Sequence, residues 1–316
     1  MLTAAQSRDV IATATAAPSV HNSQPWLFTV EPHVLTVLAD PRRALHRQDP
    51  DGRELLLSCG AATQHGQLAV RSLGRSGEVT VLRADAAADV VAEVSLLPGP
   101  PQTDAERRLL DAVPRRHTDR SAFADWPVPV EVLDRLLAAA EREGAWLQVL
   151  TTADVLELAL LQAHAQAALR SDLPAVRERA AWARTSARPV DGVPAHLLPG
   201  FGSAGTAPAA VRSDGSVPDV VLVLGTARDD RQEWVRAGRA LGRVLLEATC
   251  AGLVAAPATL ALEMPTVRDA LTSALSLHGA PQMVLRSGYP AGSGTEQVGR
   301  RGVEDVLLPS TTRAWA

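Results

Sequence analysis

The sequence predicts an α+β fold, with mostly antiparallel central sheets flanked by helices. Three observations carry this. Residues 26–31 and 34–39 alternate apolar and polar side chains on either side of Pro32-His33, the pattern of a hairpin. Residues 54–73 and 230–250 repeat apolar side chains at helical spacing over long runs. Residues 219–225 (DVVLVLG) and 283–287 are short continuous apolar runs, as in buried strands.

Taken in order, residues 3–17 are Ala-rich and read as a helix stopped by Pro18. The hairpin follows. Asp51-Gly52 then opens the helix at 54–73. The run Asp49-Pro50-Asp51-Gly52 lacks the further acidic position and distal Glu of a calcium loop, so it reads as a helix cap. Residues 78–83 and 90–97 are strand-like. The stretch PGPPQT from Pro98 reads as a linker, dividing the chain into 1–101 and 102–316. Thr103 and Glu106 have capping-box spacing and start a helix. Helices at 130–143 and 154–169 flank a strand at 146–150. Residues 185–218 are rich in Gly, Pro and Ser and read as a lid-like loop. Within them, Gly200-Phe201-Gly202-Ser203-Ala204-Gly205 fits the dinucleotide-binding pattern. Pro199 before it and Thr206-Ala207-Pro208 after it supply neither the strand nor the helix that pattern needs. Gly252 caps the helix at 230–250.

Composition narrows the function. The 316 residues are 46% hydrophobic and 21% charged, enough to bury a core. Net charge is −4, from 31 basic and 35 acidic residues, so no field for nucleic acid is expected. Every basic side chain is Arg, which excludes Schiff-base and Walker-A lysine chemistry. Cys59 and Cys250 form neither a disulfide framework nor a zinc site and read as buried thiols. The first ten residues lack the pattern of a signal peptide, and the longest uncharged stretch, 248–262, is too short for a bilayer. A soluble, cytoplasmic chain with no membrane or metal partner is the expectation. No nucleophile motif of the G-x-S-x-G type is present, and no catalytic side chain is expected.

The most informative run is Ala17-Pro18-Ser19-Val20-His21-Asn22-Ser23-Gln24-Pro25-Trp26-Leu27-Phe28. Two prolines fix the backbone around small polar side chains. Ser19, Asn22 and Gln24 offer donors and acceptors, and Trp26 anchors the loop in a core. Such a loop suits the edge of a planar, hydrogen-bonding heterocycle. A helix cap followed by a turn uses the same residues.

This run is similar to the A-P-S-x-x-N-x-Q-P-W-x-F signature of the nitroreductase family of flavoproteins. Residues 114–123 (PRRHTDRSAF) resemble that family's Arg-Arg-x-Ser/Thr-x-Arg/Lys segment, which holds FMN. Ala251-Gly252-Leu253 through Pro257-Ala258-Thr259 resembles its G-L-x-x-x-P segment beside the flavin. Gly288-Tyr289-Pro290 and the run Arg300-Arg301-Gly302-Val303-Glu304-Asp305-Val306 resemble its closing G-Y-P and arginine-led tail. The resemblance implies a nitroreductase-like fold and bound FMN. It implies ping-pong transfer from NAD(P)H to a nitro, quinone, enone or biosynthetic substrate. It assigns Arg116, with Arg301 or its neighbour Arg300, to the FMN phosphate and Thr118 as a neutral donor. Arg120 goes to the flavin N1 and O2, Ser19, Asn22 and Gln24 to the ring edge, and Ala258 and Thr259 to the ring from the other side. The family commonly carries a Glu at or near the Thr259 position, where this chain departs. His21 and His117 lie inside the motifs and read as packed or solvent-facing.

The order of segments also departs from the family. There the arginine segment precedes the polar loop by one helix; here the polar loop comes first. Where a second loop is due, at 141–149, Trp146 could match Trp26, but the Ser, Asn and Pro positions are gone. One half thus has the loop without the arginines, and the other the arginines without the loop. This resembles the Acg-type subgroup of fused nitroreductases. It implies a built-in pseudo-dimer, monomeric or a loose homo-oligomer, with one FMN between the halves of one chain. The alternatives are an FMN-sequestering or storage protein under a closed lid, and a flavin-free interaction module.

Overall fold

The computed structural model describes residues 1–83, 87–185, 189–194, 219–258, 260–292 and 298–309. Most of the lid-like stretch and the whole glycine run at 200–205 lie outside them, as does Thr259.

Helix α1 (Ala4–Thr15) starts on a capping box made by Thr3 and Gln6. Strands β1 (Trp26–Val30) and β2 (Val34–Ala39) pair antiparallel from Trp26 opposite Ala39 to Val30 opposite Leu35. The alternation in the sequence sends Trp26 and Phe28 fully into the core. Helix α2 (Arg53–Ser72) starts after Gly52, whose φ of 74° lies in the left-handed region. The capping is done by Asp49, whose carboxylate accepts from the Glu54 and Leu55 N–H groups at 3.0 and 2.9 Å. Strands β3 (Val79–Val81) and β4 (Val90–Ser95) complete an antiparallel sheet of order β1-β2-β4-β3.

Helix α3 (Asp104–Ala112) begins on the expected Thr103–Glu106 capping box. Next come α4 (Val130–Glu141), β5 (Trp146–Val149), α5 (Thr152–Ser171) and α6 (Leu173–Ala180). The two-residue strands β6 (Ala183–Arg184) and β7 (Val193–Pro194) pair parallel. Strand β8 (Val220–Thr226) and helix α7 (Arg231–Cys250) follow, and Gly252 (φ 78°) ends the helix. Between them and β10 (Ala280–Gly288) stand three elements that periodicity does not reveal: β9 (Val254–Pro257), α8 (Leu260–Glu263) and α9 (Pro265–Ala274). The short α10 (Val303–Val306) returns to the first sheet, where Leu307 bridges Phe28.

The second sheet is antiparallel, in the order β5-β8-β10-β9. It repeats the first sheet element for element. The series α1, β1, β2, α2, β3, β4 is matched by α4, β5, β8, α7, β9, β10, with α5 to β7 inserted between β5 and β8 and α8 and α9 between β9 and β10.

Helices α2 and α7, both 20 residues, cross at glycines. Gly60 follows Arg53 by seven positions and Gly238 follows Arg231 by seven. A Cβ on Gly60 would overlap the Val235 carbonyl oxygen and sit 3.0 Å from the Gly238 Cα. A Cβ on Gly238 would overlap the Leu57 carbonyl. Backbone thus lies on backbone. Leu68 of α2, Leu246 of α7 and Leu109, Ala112 and Val113 of the α3 end close a small core beside the crossing.

Both cysteines are free. Cys59 is buried, with its thiol pushed up by desolvation; Cys250 is only half-buried, its Sγ 3.3 Å from the Arg108 carbonyl oxygen. Among the described residues no helix is long and apolar enough to cross a membrane.

Gly238→Ala should therefore cost about 1–3 kcal/mol through overpacking against fixed backbone. Gly292→Ala, where nothing lies within 4 Å of the new Cβ, should be near neutral. Urea denaturation of the two variants checks this, and equal midpoints would remove the crossing from the account.

Candidate functional site

The polar loop sits between α1 and β1, held in an unusual backbone shape. His21 (φ 47°), Asn22 (φ 53°) and Gln24 (φ 50°) all lie in the left-handed region, which costs a non-glycine residue about 1 kcal/mol or more. The surroundings enforce it. The Ser19 Oγ accepts from the Gln24 N–H at 3.0 Å, and the Val20 N–H donates to Ser58 Oγ on α2 at 3.3 Å. Gln24 is fully buried; its Oε1 accepts from the Arg301 N–H at 2.9 Å and its Nε2 donates to the Val190 carbonyl at 2.8 Å. The Asn22 Nδ2 donates to the Gly192 carbonyl at 3.1 Å, and Gly192 N–H donates back to the Asn22 carbonyl at 3.2 Å. The amide nitrogens of Asn22 and Gln24 thus fasten the loop to residues 190–192. Arg43 ties the same strap down through Asp191 at 2.6 Å and stacks on Trp182.

His21 donates from Nε2 to Gln48 Oε1 at 2.8 Å. Desolvation pushes its pKa down to about 4. The charges of Arg179 and Arg120 act the same way and the Gln48 hydrogen bond opposes them. His21 is neutral at neutral pH; the arginine segment reaches the entry of the loop at Ala16, whose carbonyl accepts from Arg116.

That segment leaves the end of α3 and runs along β9. Thr118 bridges Ala255, the Asp119 N–H donates to the Ala255 carbonyl at 3.0 Å, and Phe123 bridges Pro290. The Asp119 carboxylate accepts from the Ser121 N–H and hydroxyl at 2.9 and 2.6 Å, which rigidifies the turn. Ala258 follows β9; its N–H donates to Val284 and its carbonyl accepts from Gln162 Nε2. His117 is half-buried, its Nδ1 3.0 Å from the Arg115 carbonyl.

Arg116 is 6% exposed and donates from Nη2 to the Ala16 carbonyl at 3.2 Å. Arg300 donates to the same carbonyl at 3.3 Å, and to the Val298 and Gly299 carbonyls. Neither guanidinium meets a carboxylate among the described residues. Burial pushes both pKa values down, Arg116 to about 9, with Arg300 adding repulsion, and Arg300 to about 10. The Nε atoms of Arg116, Arg120 and Arg300 are buried without a partner among the described residues. Two like charges, one buried and one half-buried, converging on one carbonyl form an arrangement that an anion relieves. Arg301 is aimed elsewhere. It donates to the Gln24 and Asp305 carbonyls and lies 3.9 Å from the Asp40 carboxylate, so it holds the polar loop.

Sequence reasoning did not find Glu178, Arg179 or Glu263. The Glu178 carboxylate accepts from the Arg47 and Gln48 N–H groups, and Arg179 pairs with Glu263 at 3.2 Å. Burial pushes the Glu263 pKa up to about 8; Glu54 and Asp49 push the same way, Arg179 and Arg53 oppose. Nothing local in the sequence marks Glu178 and Arg179, because the segments they meet are far away in the chain.

A carboxyl whose folded pKa is raised contributes stability that is present below its ordinary value near 4.5 and lost as pH rises through about 8. Glu263→Gln should therefore lose less stability than the wild type between about pH 5 and pH 8.5. Denaturation midpoints at the two pH values check this; parallel losses would contradict it.

No family model matches the chain. Over 296 residues, 89% of this chain and 84% of the relative, it is 36% identical to "Putative NAD(P)H nitroreductase Rv3131" of Mycobacterium tuberculosis. It is 28% identical over 299 residues to "Putative NAD(P)H nitroreductase acg" of the same organism, covering 91% of this chain and 90% of that one. Among solved structures, the FMN-dependent nitroreductase NfnB of Mycobacterium smegmatis in complex with NADPH aligns at 18% identity and a TM-score of 0.43, over 65% of this chain and 98% of that chain. The identity to the first relative, sustained over most of both sequences, shows that the chain belongs to the NAD(P)H nitroreductase family.

Proposed function

We propose that the chain is an FMN-dependent oxidoreductase that takes reducing equivalents from NAD(P)H and passes them to a small nitro, quinone, enone or biosynthetic acceptor. One FMN would lie between the halves 1–101 and 102–316. The observation that carries this reading is the pair Arg116, buried, and Arg300, half-buried, without carboxylates among the described residues and converging on Ala16. A phosphomonoester dianion fits that donor set, because each planar guanidinium grips two oxygens.

When bound, FMN supplies hydride transfer at its ring. The chain supplies the rest. Arg116 and Arg300 hold the phosphate, with the Thr118 hydroxyl as a neutral donor beside them. Arg120, half-buried in the arginine segment with its Nε enclosed, would place positive charge against the pyrimidine edge and favour added electrons there. Ser19, Asn22 and Gln24 set the shape of the loop that meets the ring edge, and their mutual bracing keeps that edge rigid before cofactor arrives. Ala258, at the end of β9, would stand on the opposite wall. The chain works in the cytoplasm, alone or as a loose homo-oligomer, since each copy carries both halves.

A second reading is FMN sequestration. Residues 189–192 lie against the polar loop through Asn22, Gln24 and Gly299, and such a strap could keep acceptors away from a bound ring.

The visible spectrum of the purified protein, with the released chromophore counted, tests both. The enzyme reading expects one FMN per chain, bleached by NADH or NADPH and recoloured by an acceptor. A flavin that neither reductant bleaches favours sequestration. A chain that refuses added FMN rejects both. Arg116→Ala should weaken FMN binding by about 1.5–3 kcal/mol, the loss of a charge-assisted contact, and leave riboflavin affinity unchanged. Equal losses for the two flavins would remove Arg116 from the phosphate.

A further inference from the structure

No sequence motif falls on the strap at 189–192, yet its carbonyls meet both segments that would carry the cofactor. Pro189 accepts from the Gly299 N–H at 2.8 Å. Val190 accepts from Gln24 Nε2 at 2.8 Å, and Gly192 from Asn22 Nδ2 at 3.1 Å. Gly299 directly precedes Arg300, whose guanidinium shares the Ala16 carbonyl with Arg116. The polar loop, the strap and the tail come from three distant parts of the chain and meet at this one junction.

Backbone contacts of this kind persist only where the strap itself is fixed. The Asp191 carboxylate fixes it by taking two guanidiniums. Its Oδ2 accepts from Arg43 Nη2 at 2.6 Å, and its Oδ1 accepts from Arg184 Nε and Nη2 at 3.1 and 3.0 Å. Arg43 follows β2 in the first half and also donates from Nε to the Ser23 carbonyl of the polar loop. Arg184 belongs to β6, in the insertion that carries the strap. Both guanidiniums lie over the Trp182 ring, 5.1 and 5.6 Å from its centroid. The turn of the strap is set at the same place. Gly192 is left-handed (φ 69°), a Cβ on it would overlap the Trp182 carbonyl oxygen, and the Val193 N–H donates to that carbonyl at 3.1 Å. Without the Asp191 charge, Arg43 and Arg184 would be two cations against one ring, and their repulsion would act to part the strap from the first half.

We propose that Asp191 is a positioning residue of the cofactor site: by joining Arg43 to Arg184 it seats the strap's carbonyls on Asn22, Gln24 and Gly299, and through them sets the ring-edge loop and the Arg300 tail for FMN. This rests on the cofactor reading above and extends the site to the insertion between β5 and β8. The seated strap is the binding-competent form, so apparent FMN affinity scales with the fraction of time the strap is seated. A strap seated about a tenth of the time lowers affinity about tenfold.

The test pairs two measurements on the wild type, Asp191→Asn, Arg184→Gln and Asp191→Glu. FMN binding and release are followed by flavin fluorescence, and amide hydrogen exchange is read on the flavin-stripped proteins. The Asp191 and Arg184 side chains are 25% and 31% exposed, so these changes leave the core intact. Asp191→Asn should weaken FMN binding about tenfold or more, chiefly through faster release. Its Gly192 and Gly299 amides should lose exchange protection while α2 and α7 keep theirs. Arg184→Gln should move both readouts the same way, and Asp191→Glu, which keeps the charge, should recover most of the retention. FMN release unchanged in Asp191→Asn overturns the positioning role and leaves the cofactor reading standing. Protection lost throughout α2 and α7 would give Asp191 a general structural role and overturns it as well. Failure of the wild type to bind FMN overturns both.

Discussion

The contact on which the rest of the structure depends is the crossing of α2 and α7 at Gly60 and Gly238. Each helix lays its backbone on the other, and no side chain fits between. Two antiparallel sheets of the same strand order stand on either side of that pair. The crossing also sets distances at the site. α2 fixes the polar loop through Ser58, and α3 wedges against both helices through Leu68 and Leu246. Arg116 leaves the end of α3, so the same packing that joins the sheet units brings an arginine from one to the carbonyl of Ala16 in the other.

The electrostatics beside the crossing are arranged for a negative guest. A folded chain normally neutralises a buried guanidinium with a carboxylate, as Arg71 is paired with Glu106 and Arg286 with Asp219. Arg116 and Arg300 break that pattern with only carbonyls for company. Strain in the polar loop belongs to the same design. Three left-handed residues in four positions persist because Ser58, Arg301 and the strap at 189–192 fix them from three sides.

Much of this was legible in the residues, and the losses have physical causes. The hairpin at 26–39 and the Thr103–Glu106 cap are local events, and they stand where alternation and spacing put them. The acidic run at 49–52 read as a cap, but which carboxylate does the capping depends on a turn that the sequence does not show; it is Asp49. β9 was hidden because its residues lie inside the uncharged stretch at 248–262, which also takes in most of α8; for α9, Pro265 at its first turn was the available signal. Gly60 and Gly238 look like flaws in helix propensity until the second helix is seen. Of the adjacent Arg300 and Arg301, only the path of the tail decides which faces Arg116 and which braces Gln24.

The central claim is that one flavin spans the two sheet units with its phosphate between Arg116 and Arg300. A crystal structure of the chain soaked with FMN tests that most directly. The account predicts phosphate oxygens within hydrogen-bonding distance of both guanidiniums, and the ring edge against the loop at residues 19–24. A phosphate bound away from either arginine, or a ring touched by only one sheet unit, would contradict it.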